Sequence, residues 1–211
     1  MAGRRTTAQA LRAVNRPVFT TREIAALRGS SLSAASQSLK RLERQGLLAQ
    51  AARGVWCDPS DPRFTQLSLV PFLAGSHRAY VSLLSALHLH GMIEQIPQIV
   101  YAVTTDHTRT VETSLGTFSF HRVRPALFCG FDWHGQGRDF LIATPEKALV
   151  DSLYLSSRKG RRFRFFPEID MATRFRPREA RRWIRRIPDP RIRKHVSERF
   201  EALRAQAREG G

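Results

Sequence analysis

Helix start and stop signals divide the first 57 residues into short helices, and their order constrains the fold more than any other feature. A first helix is predicted over residues 6–15, because Pro17 disfavours helical geometry at the residue before it. Thr20 and Glu23 have the spacing of a capping box, in which both side chains accept backbone N–H groups at a helix start. This second helix is predicted to end at Gly29.

A third helix, over residues 32–45, completes the N-terminal pattern. Ser30 or Ser31 is placed to cap its start, and Gly46 is placed to end it in the left-handed conformation. Residues 47–57 hold two short apolar runs around Arg53 and Gly54, which predicts a hairpin with a basic tip. Three helices, with a glycine in the turn between the second and the third, followed by a hairpin, are typical of a winged helix-turn-helix.

The third helix is predicted to have one buried and one exposed face. Its buried face would consist of Leu32, Ala35, Leu39 and Leu42, which recur at helical spacing. In a DNA major groove, side chains near the start of such a helix read base edges, and the later cations contact phosphates. The candidate DNA-binding residues are therefore Ser33, Ser36, Gln37, Lys40, Arg41 and Arg44 on the helix, with Arg53 at the hairpin tip.

The positive charge of the chain lies at its two ends. The formal net charge is +17, and residues 1–57, 58–157 and 158–211 carry +8, −2 and +11 respectively. Lys and Arg gain affinity for a dense phosphate backbone by releasing its counterions, so double-stranded DNA is the expected partner. The chain has no apolar run of about 18 residues and no apolar leader at its start, so we expect a cytoplasmic protein without a membrane partner.

The rest of the chain alternates helix and strand before ending in basic helices. Helices are predicted over 82–89 and 145–155, strands over 99–104, 117–123 and 140–143, and Arg-rich helices near 178–187 and 191–208, after a basic connector over 156–166. The predicted fold class is α+β, with an N-terminal winged helix-turn-helix, a mixed α/β domain and Arg-rich C-terminal helices. These three parts are assigned to residues 1–60, 61–157 and 158–211.

No pattern in the sequence indicates a metal, a cofactor or a catalytic residue. His88 and His90 would project about 200° apart on a helix, and the other histidines lack metal-ligand spacing. Cys57 and Cys129 are far apart without a C-x-x-C pattern, so we expect two buried thiols. No phosphate-binding glycine loop or nucleophile elbow is present. We therefore expect no enzyme activity.

A cluster of carboxylates and a lysine can hold magnesium in a nuclease, and Glu146, Lys147 and Asp151 supply these residue types. Glu146 and Lys147 are adjacent on a predicted helix and diverge by about 100°, and no preceding strand offers a partner carboxylate. A structural role fits better, because Glu146 suits the positive start of the helix and Lys147 and Asp151 have the spacing of an ion pair.

Four arginines near the C-terminus surround Trp183. Arg181, Arg182, Arg185 and Arg186 leave a broad basic surface on a helix whose other face is apolar. They would contact DNA phosphates, dock an acidic protein partner or simply face solvent. The sequence leaves these three uses open.

Several motifs resemble one known family. They are Phe19 to Ile24 (FTTREI), Arg53 to Trp56 (RGVW), Tyr80 to Ser82 (YVS), Ser85 to Leu87 (SAL), Gly116 to His121 (GTFSFH) and Ala143 to Asp151 (ATPEKALVD). On these motifs the chain resembles the AbiEi antitoxins of type IV toxin–antitoxin systems, and the resemblance covers roughly residues 15–157. The segment after Arg158 matches no pattern of that family.

The resemblance implies a transcriptional autorepressor that binds operator repeats in its own promoter. It also implies an antitoxin that counteracts a co-encoded nucleotidyltransferase toxin. Two alternatives stay open: a metal-dependent nuclease or nucleic-acid-modifying enzyme, and a regulator that responds to a small molecule. The oligomeric state has no signature in the sequence.

Overall fold

Eight α-helices and nine strands occur in residues 5–135, 137–157, 167–171 and 175–209, the part of the chain that the computed structural model describes. The helices are α1 (Thr7–Val14), α2 (Thr21–Arg28), α3 (Leu32–Arg44), α4 (Val70–Leu73), α5 (Leu83–Leu89), α6 (Pro145–Ser156), α7 (Pro177–Arg185) and α8 (Pro190–Glu209). The strands are β1 (Val18–Thr20), β2 (Ala49–Ala52), β3 (Val55–Cys57), β4 (Ala79–Val81), β5 (Ile99–Thr104), β6 (Arg109–Thr113), β7 (Gly116–Arg122), β8 (Phe131–His134) and β9 (Phe140–Ala143). The predicted mixed α and β content is confirmed.

The chain forms two compact units. The first contains residues 1–73 and 112–115, and the second contains residues 74–111 and 116–211. Helices α1–α4 and strands β1–β3 therefore belong to the first unit. The division of the sequence into three parts at residues 60 and 157 stays a prediction.

Hydroxyl caps begin the second and third helices as the sequence indicates. The Thr20 hydroxyl accepts the N–H of Glu23 at 3.2 Å, and the Glu23 carboxylate accepts the N–H of Thr20 at 2.7 Å, which confirms the capping box. Of the two candidate serines, Ser31 caps α3, and its Oγ accepts the N–H of Ala34 at 3.2 Å. These bonds satisfy amides that have no partner inside the helix.

A left-handed glycine ends α3. Gly46 has φ +73°, and its N–H donates to the carbonyl of Glu43 at 2.9 Å. The next amide, of Leu47, donates to the carbonyl of Leu42 at 3.0 Å. This pair of bonds is a Schellman motif, so the predicted glycine stop is confirmed.

One core of the first unit lies between helices α1, α2 and α3 and the strands β1 and β3. Its buried members are Ala10, Phe19, Ile24, Ala25, Ala35, Leu39, Leu48 and Trp56. The indole N–H of Trp56 donates to the hydroxyl of Thr21 at 2.8 Å, so this polar atom is satisfied inside the core. The same contact joins β3 to the first turn of α2.

The prediction that Leu32 lies on the buried face of α3 is wrong. Its side chain is 54% exposed, although Ala35 and Leu39 on the same helix are fully buried. Leu32 is the first residue of α3, and the core cluster reaches this helix only from Ala35 onward. The apolar spacing thus continues for one turn beyond the point where neighbouring side chains can cover it.

Three antiparallel strands form the small sheet of the first unit, in the order β1-β3-β2. Val18 pairs with Cys57 on one side of β3, and Ala49 pairs with the same residue on the other. The predicted hairpin is confirmed, but β2 begins at Ala49, after the Leu47-Leu48 run in which the sequence places it. Leu47 is exposed and Leu48 is buried.

The second unit is built on a six-stranded sheet with strand order β6-β7-β5-β4-β9-β8. Strand β4 lies antiparallel to β5 and parallel to β9, and β5 lies parallel to β7. The predicted strands correspond to β5, β7 and β9. Strands β4, β6 and β8 were not predicted.

Helix α6 lies inside the second unit. Thr144 caps it, with its hydroxyl accepting the N–H of Lys147 at 3.3 Å, and Pro145 is its first residue, as predicted. Every residue from Glu146 to Tyr154 is buried, including Asp151. Helices α5, α7 and α8 all pack against α6.

The two predicted Arg-rich helices correspond to α7 and α8. Asp189 separates them and caps the start of α8, where its carboxylate accepts the N–H of Arg191 at 2.8 Å. Most of the predicted basic connector, residues 158–166, lies outside the described residues.

No helix in the described part of the chain is long and apolar enough to cross a membrane.

The two cysteines differ in burial. Cys57 is buried as predicted, and burial raises the pKa of its thiol to about 11. The prediction of burial is only partly right for Cys129, which is half-buried and lies 3.3 Å from the Arg186 guanidinium.

Candidate nucleic-acid interface

The outward face of α3 carries the predicted polar residues. Five of them are exposed, namely Ser33, Gln37, Lys40, Arg41 and Arg44, and Ser36 is half-buried. Each of them has another member of the set three or four residues away, so they occupy one face over successive turns of a helix of 13 residues. One face of α3 thus presents small polar groups near its start and cations towards its end.

Hydrogen bonds hold α3 against α2. The Arg28 guanidinium, in the last turn of α2, donates to the hydroxyl of Ser38 at 2.9 Å. Ser38 in turn donates to the carbonyl of Ala34 one turn earlier in α3, at 3.0 Å. This contact depends on how the two helices cross, so it has no signature in the sequence.

The end of α3 is fixed to the hairpin. The Glu43 carboxylate accepts the N–H of Gln50 in β2 at 3.2 Å. The hairpin is joined to α2 as well, since the N–H of Thr21 donates to the carbonyl of Gly54 at 2.9 Å. Arg53 is exposed at the tip, beside Gly54 with φ +78°. The structure therefore brings the α3 face and Arg53 onto one framework.

The acidic side chains of this framework are occupied, whereas the cations of α3 are not. Among the described residues, no acidic side chain pairs with Lys40, Arg41 or Arg44, and the Arg44 Nε donates only to the carbonyl of Lys40, at 3.4 Å. Glu43 bonds to the hairpin, and Glu23 bonds to Thr20 and Arg16. The face of α3 consequently carries uncompensated positive charge.

Glu23 is ionised more readily than an ordinary glutamate. Partial burial alone would raise the pKa of its carboxyl, but hydrogen bonds from Thr20 and the Arg16 guanidinium outweigh burial and lower it. The carboxylate that completes the capping box therefore stays charged at neutral pH.

The four predicted C-terminal arginines differ in their surroundings. Arg181 is bound to Glu201 at 2.9 Å, and Arg182 lies 3.5 Å from Glu179. Arg186 lies over the Trp183 ring, 5.0 Å from its centre. Arg185 is exposed, and no described residue pairs with it. Only part of this basic set is thus compensated within the chain.

A groove of about 420 Å³ runs between α7 and α8. Cations line it on both helices, and Ile184 and Pro190 supply its apolar part; the lining cations are Arg181, Arg185, Arg193 and Lys194. Residues 175–209 carry twelve Lys and Arg against five Asp and Glu, a net charge of +7. Glu198 also lines the groove, 3.9 Å from Lys194, so four cations face one carboxylate there.

A buried polar network contains Lys147 and Asp151. Their side chains form an ion pair and are each only 2% exposed. The other Asp151 oxygen accepts the hydroxyls of Tyr80 at 2.8 Å and Ser82 at 2.9 Å, and Lys147 also donates to Tyr80 at 2.9 Å. Burial, together with the neighbouring Asp151 charge, raises the pKa of Tyr80 well above its ordinary value.

Glu146, Lys147 and Asp151 of α6 all make contacts that hold the second unit together. Glu146 accepts the N–H of Arg176 at 2.9 Å and so fixes the approach to α7. Gly130 has φ +76°, and a Cβ on it would lie 3.0 Å from side-chain atoms of both Lys147 and Trp183. The predicted ion pair is thus present, but its burial and its partners Tyr80 and Ser82 were missed. Tyr80 and Ser82 of the YVS motif therefore contact Lys147 and Asp151 of the ATPEKALVD motif.

Two histidines make hydrogen bonds to neighbouring oxygen atoms of the chain. His90 contacts the carbonyl of Ala143 at 2.8 Å, and His121 contacts the hydroxyl of Ser119 at 3.0 Å. Among the described residues, no group of three or more His, Cys, Asp or Glu side chains could hold a metal ion.

Residues 8–57 match a family model whose description is a class of transcriptional regulators. The family is that of the AbiEi antitoxins, so the resemblance read from the sequence is confirmed for these residues, which run from α1 through β3. No curated protein matches the chain in sequence. The motifs between residues 80 and 151 lie outside the matched part.

Proposed function

We propose that this protein is a DNA-binding transcriptional autorepressor and the antitoxin of a co-encoded nucleotidyltransferase toxin, without enzyme activity of its own. The match of residues 8–57 to AbiEi antitoxin regulators supports a regulatory and antitoxin role. The finer parts of the proposal rest on the geometry of the first unit and on the distribution of charge.

The N-terminal unit acts as a winged helix-turn-helix, with α3 as the recognition helix. The observation that carries this assignment is the exposed polar and basic face of α3, on a helix whose opposite side is fixed in the core. A major groove admits one α-helix, and side chains near the helix start then reach base edges. Ser33, Ser36 and Gln37 would read bases, and Gln37 suits the paired donor and acceptor of adenine.

Cations farther along the surface bind the phosphate backbone. Lys40, Arg41 and Arg44 follow the base-reading residues on α3, and none of them pairs with an acid in the described chain. Arg53 at the hairpin tip, acting as the wing, would reach a phosphate or the neighbouring minor groove. These contacts supply affinity and register, and the α3 start supplies sequence preference.

The C-terminal arginines extend the phosphate contacts. Arg185 is exposed and lines the groove between α7 and α8, and Arg186 is exposed at the end of α7. Arg181 and Arg182 form ion pairs with glutamates, so they would contribute less.

Operator binding tests the first part of this proposal. A duplex carrying the promoter of the gene is titrated with the wild-type protein and with the double variant Gln37→Ala, Lys40→Ala. Loss of one bidentate base contact costs about 1–3 kcal/mol, so binding should weaken at least about fivefold. The matched control is Gln95→Ala with Arg124→Ala, two exposed side chains outside the proposed interface. Unchanged affinity in the first double variant would contradict the placement of α3.

Growth rescue tests the antitoxin part. The gene is expressed together with a neighbouring nucleotidyltransferase gene that arrests growth by itself. Restored growth is the expected result. Continued arrest with the protein present at normal levels would reject the antitoxin role and leave a DNA-binding regulator.

A further inference from the structure

Leu32 is an apolar side chain placed where solvent would normally favour a polar one. It is the first residue of α3 and is 54% exposed. It precedes Ser33, and Ser36 lies one turn farther along the same side of the helix, so its neighbours are proposed base-reading residues.

Within the described residues of the first unit, Leu32 is not part of a cluster of exposed large hydrophobic side chains. The other such residue in that unit is Leu47, at 57%, which follows the opposite end of α3. From Leu32 to Arg44 the helix rises by about 18 Å, so the two leucines are far apart. A protein partner would need a contiguous apolar surface of several hundred Å². A single leucine suits a small apolar group.

The major groove of DNA offers one such group at its base edges, the C5-methyl of thymine. Cations on the same helix, Lys40, Arg41 and Arg44, are uncompensated among the described residues and favour an anionic partner. We propose that Leu32 is a specificity-determining residue that packs on a thymine methyl in the operator. This inference rests on the proposed function of α3 as the recognition helix.

Uracil provides the test, because it keeps the hydrogen-bonding edge of thymine and lacks only the methyl group. Duplexes that bind the full-length protein are first enriched from a random pool, and each thymine of the best duplex is then replaced by uracil. For the wild-type protein, replacement at one or two positions should weaken binding about fourfold, the ratio that corresponds to about 0.8 kcal/mol per buried CH₂.

The variant Leu32→Ala assigns that effect to its side chain. Its affinity for the thymine duplex should fall, and the same uracil replacement should then change binding less than twofold. Leu47→Ala removes an equally exposed leucine and should keep the full uracil effect. Because Leu32 makes no core contact in the cluster of the first unit, the melting temperature of Leu32→Ala should match that of the wild type.

Three outcomes overturn the inference and separate it from the proposed function. An equal uracil effect in Leu32→Ala and in the wild type shows that another residue contacts the methyl. Tight binding without any sensitive thymine shows that α3 reads DNA without this contact. Failure to enrich any duplex rejects the DNA-binding function itself, and the inference with it.

Discussion

At the scale of single residues, the same sequence spacing produces very different environments. Lys147 and Asp151 are four residues apart on α6, as Lys194 and Glu198 are on α8. The side chains of the first pair are each 2% exposed. In the second pair the Lys194 side chain is 79% exposed and that of Glu198 is 63% exposed, with 3.9 Å between the charged atoms. Spacing predicted the first pair, but its burial depends on the strands and helices that surround α6. The sequence does not reveal that environment from the helix alone.

Removing the charge of Lys147 should therefore destabilise the protein strongly. Lys147→Met leaves Asp151 buried without its cation, which costs about 3–5 kcal/mol. Urea unfolding measures the loss. Lys194→Met at the exposed pair should change stability by less than about 0.5 kcal/mol. Equal effects of the two substitutions would contradict the account of the buried network.

The two cysteines should differ in reactivity. The Cys57 thiol is buried with its pKa raised to about 11, so almost none of it is the reactive thiolate near neutral pH. Cys129 is half-buried beside the Arg186 guanidinium. Alkylation of the folded protein at mildly alkaline pH, followed by peptide mass spectrometry, should label Cys129 first. Faster labelling of Cys57 would contradict its buried position in β3.

At the scale of elements, helix boundaries were predictable and short strands were not. Thr20, Ser31, Gly29 and Gly46 act through their nearest neighbours in sequence, so their signals can be read directly. Strands β4, β6 and β8 have only three to five residues, too few to show a clear alternating pattern; β4 pairs with β5 and β9, whereas β6 and β8 each pair with the strand that follows them, β7 and β9. The exposed face of α3 followed from its periodicity. Periodicity gave the wrong result for Leu32, because the core that covers Ala35 and Leu39 does not reach the first residue of α3.

The capping box of α2 should make stability depend on pH. The pKa of Glu23 is lowered in the folded state, so its contribution is present above the ordinary value of 4.5 and is lost as pH falls through the lowered value. Glu23→Gln removes this titration. Thermal unfolding from about pH 6 down to about pH 3 should show a smaller loss for the variant than for the wild type. Parallel curves for the two proteins would reject this contribution.

At the scale of the whole molecule, charge is the property that the sequence describes best. The basic ends, +8 in residues 1–57 and +11 in residues 158–211, flank a middle part with −2. The structure adds which cations are compensated: Arg181 and Arg204 share Glu201, whereas the α3 cations have no acidic partner among the described residues. The number of cations free to bind an anionic partner could not be predicted from net charge, since it depends on this pairing.

The salt dependence of operator binding tests the central claim, that α3 binds duplex DNA, most directly. The slope of log affinity against log salt falls in magnitude by about 1 for each phosphate contact that is lost. Lys40→Ala should show this decrease, and Arg124→Ala, which removes an equal charge outside the proposed interface, should keep the wild-type slope. A wild-type slope for Lys40→Ala, or an equal decrease in both variants, would contradict the assignment of α3 as the recognition helix.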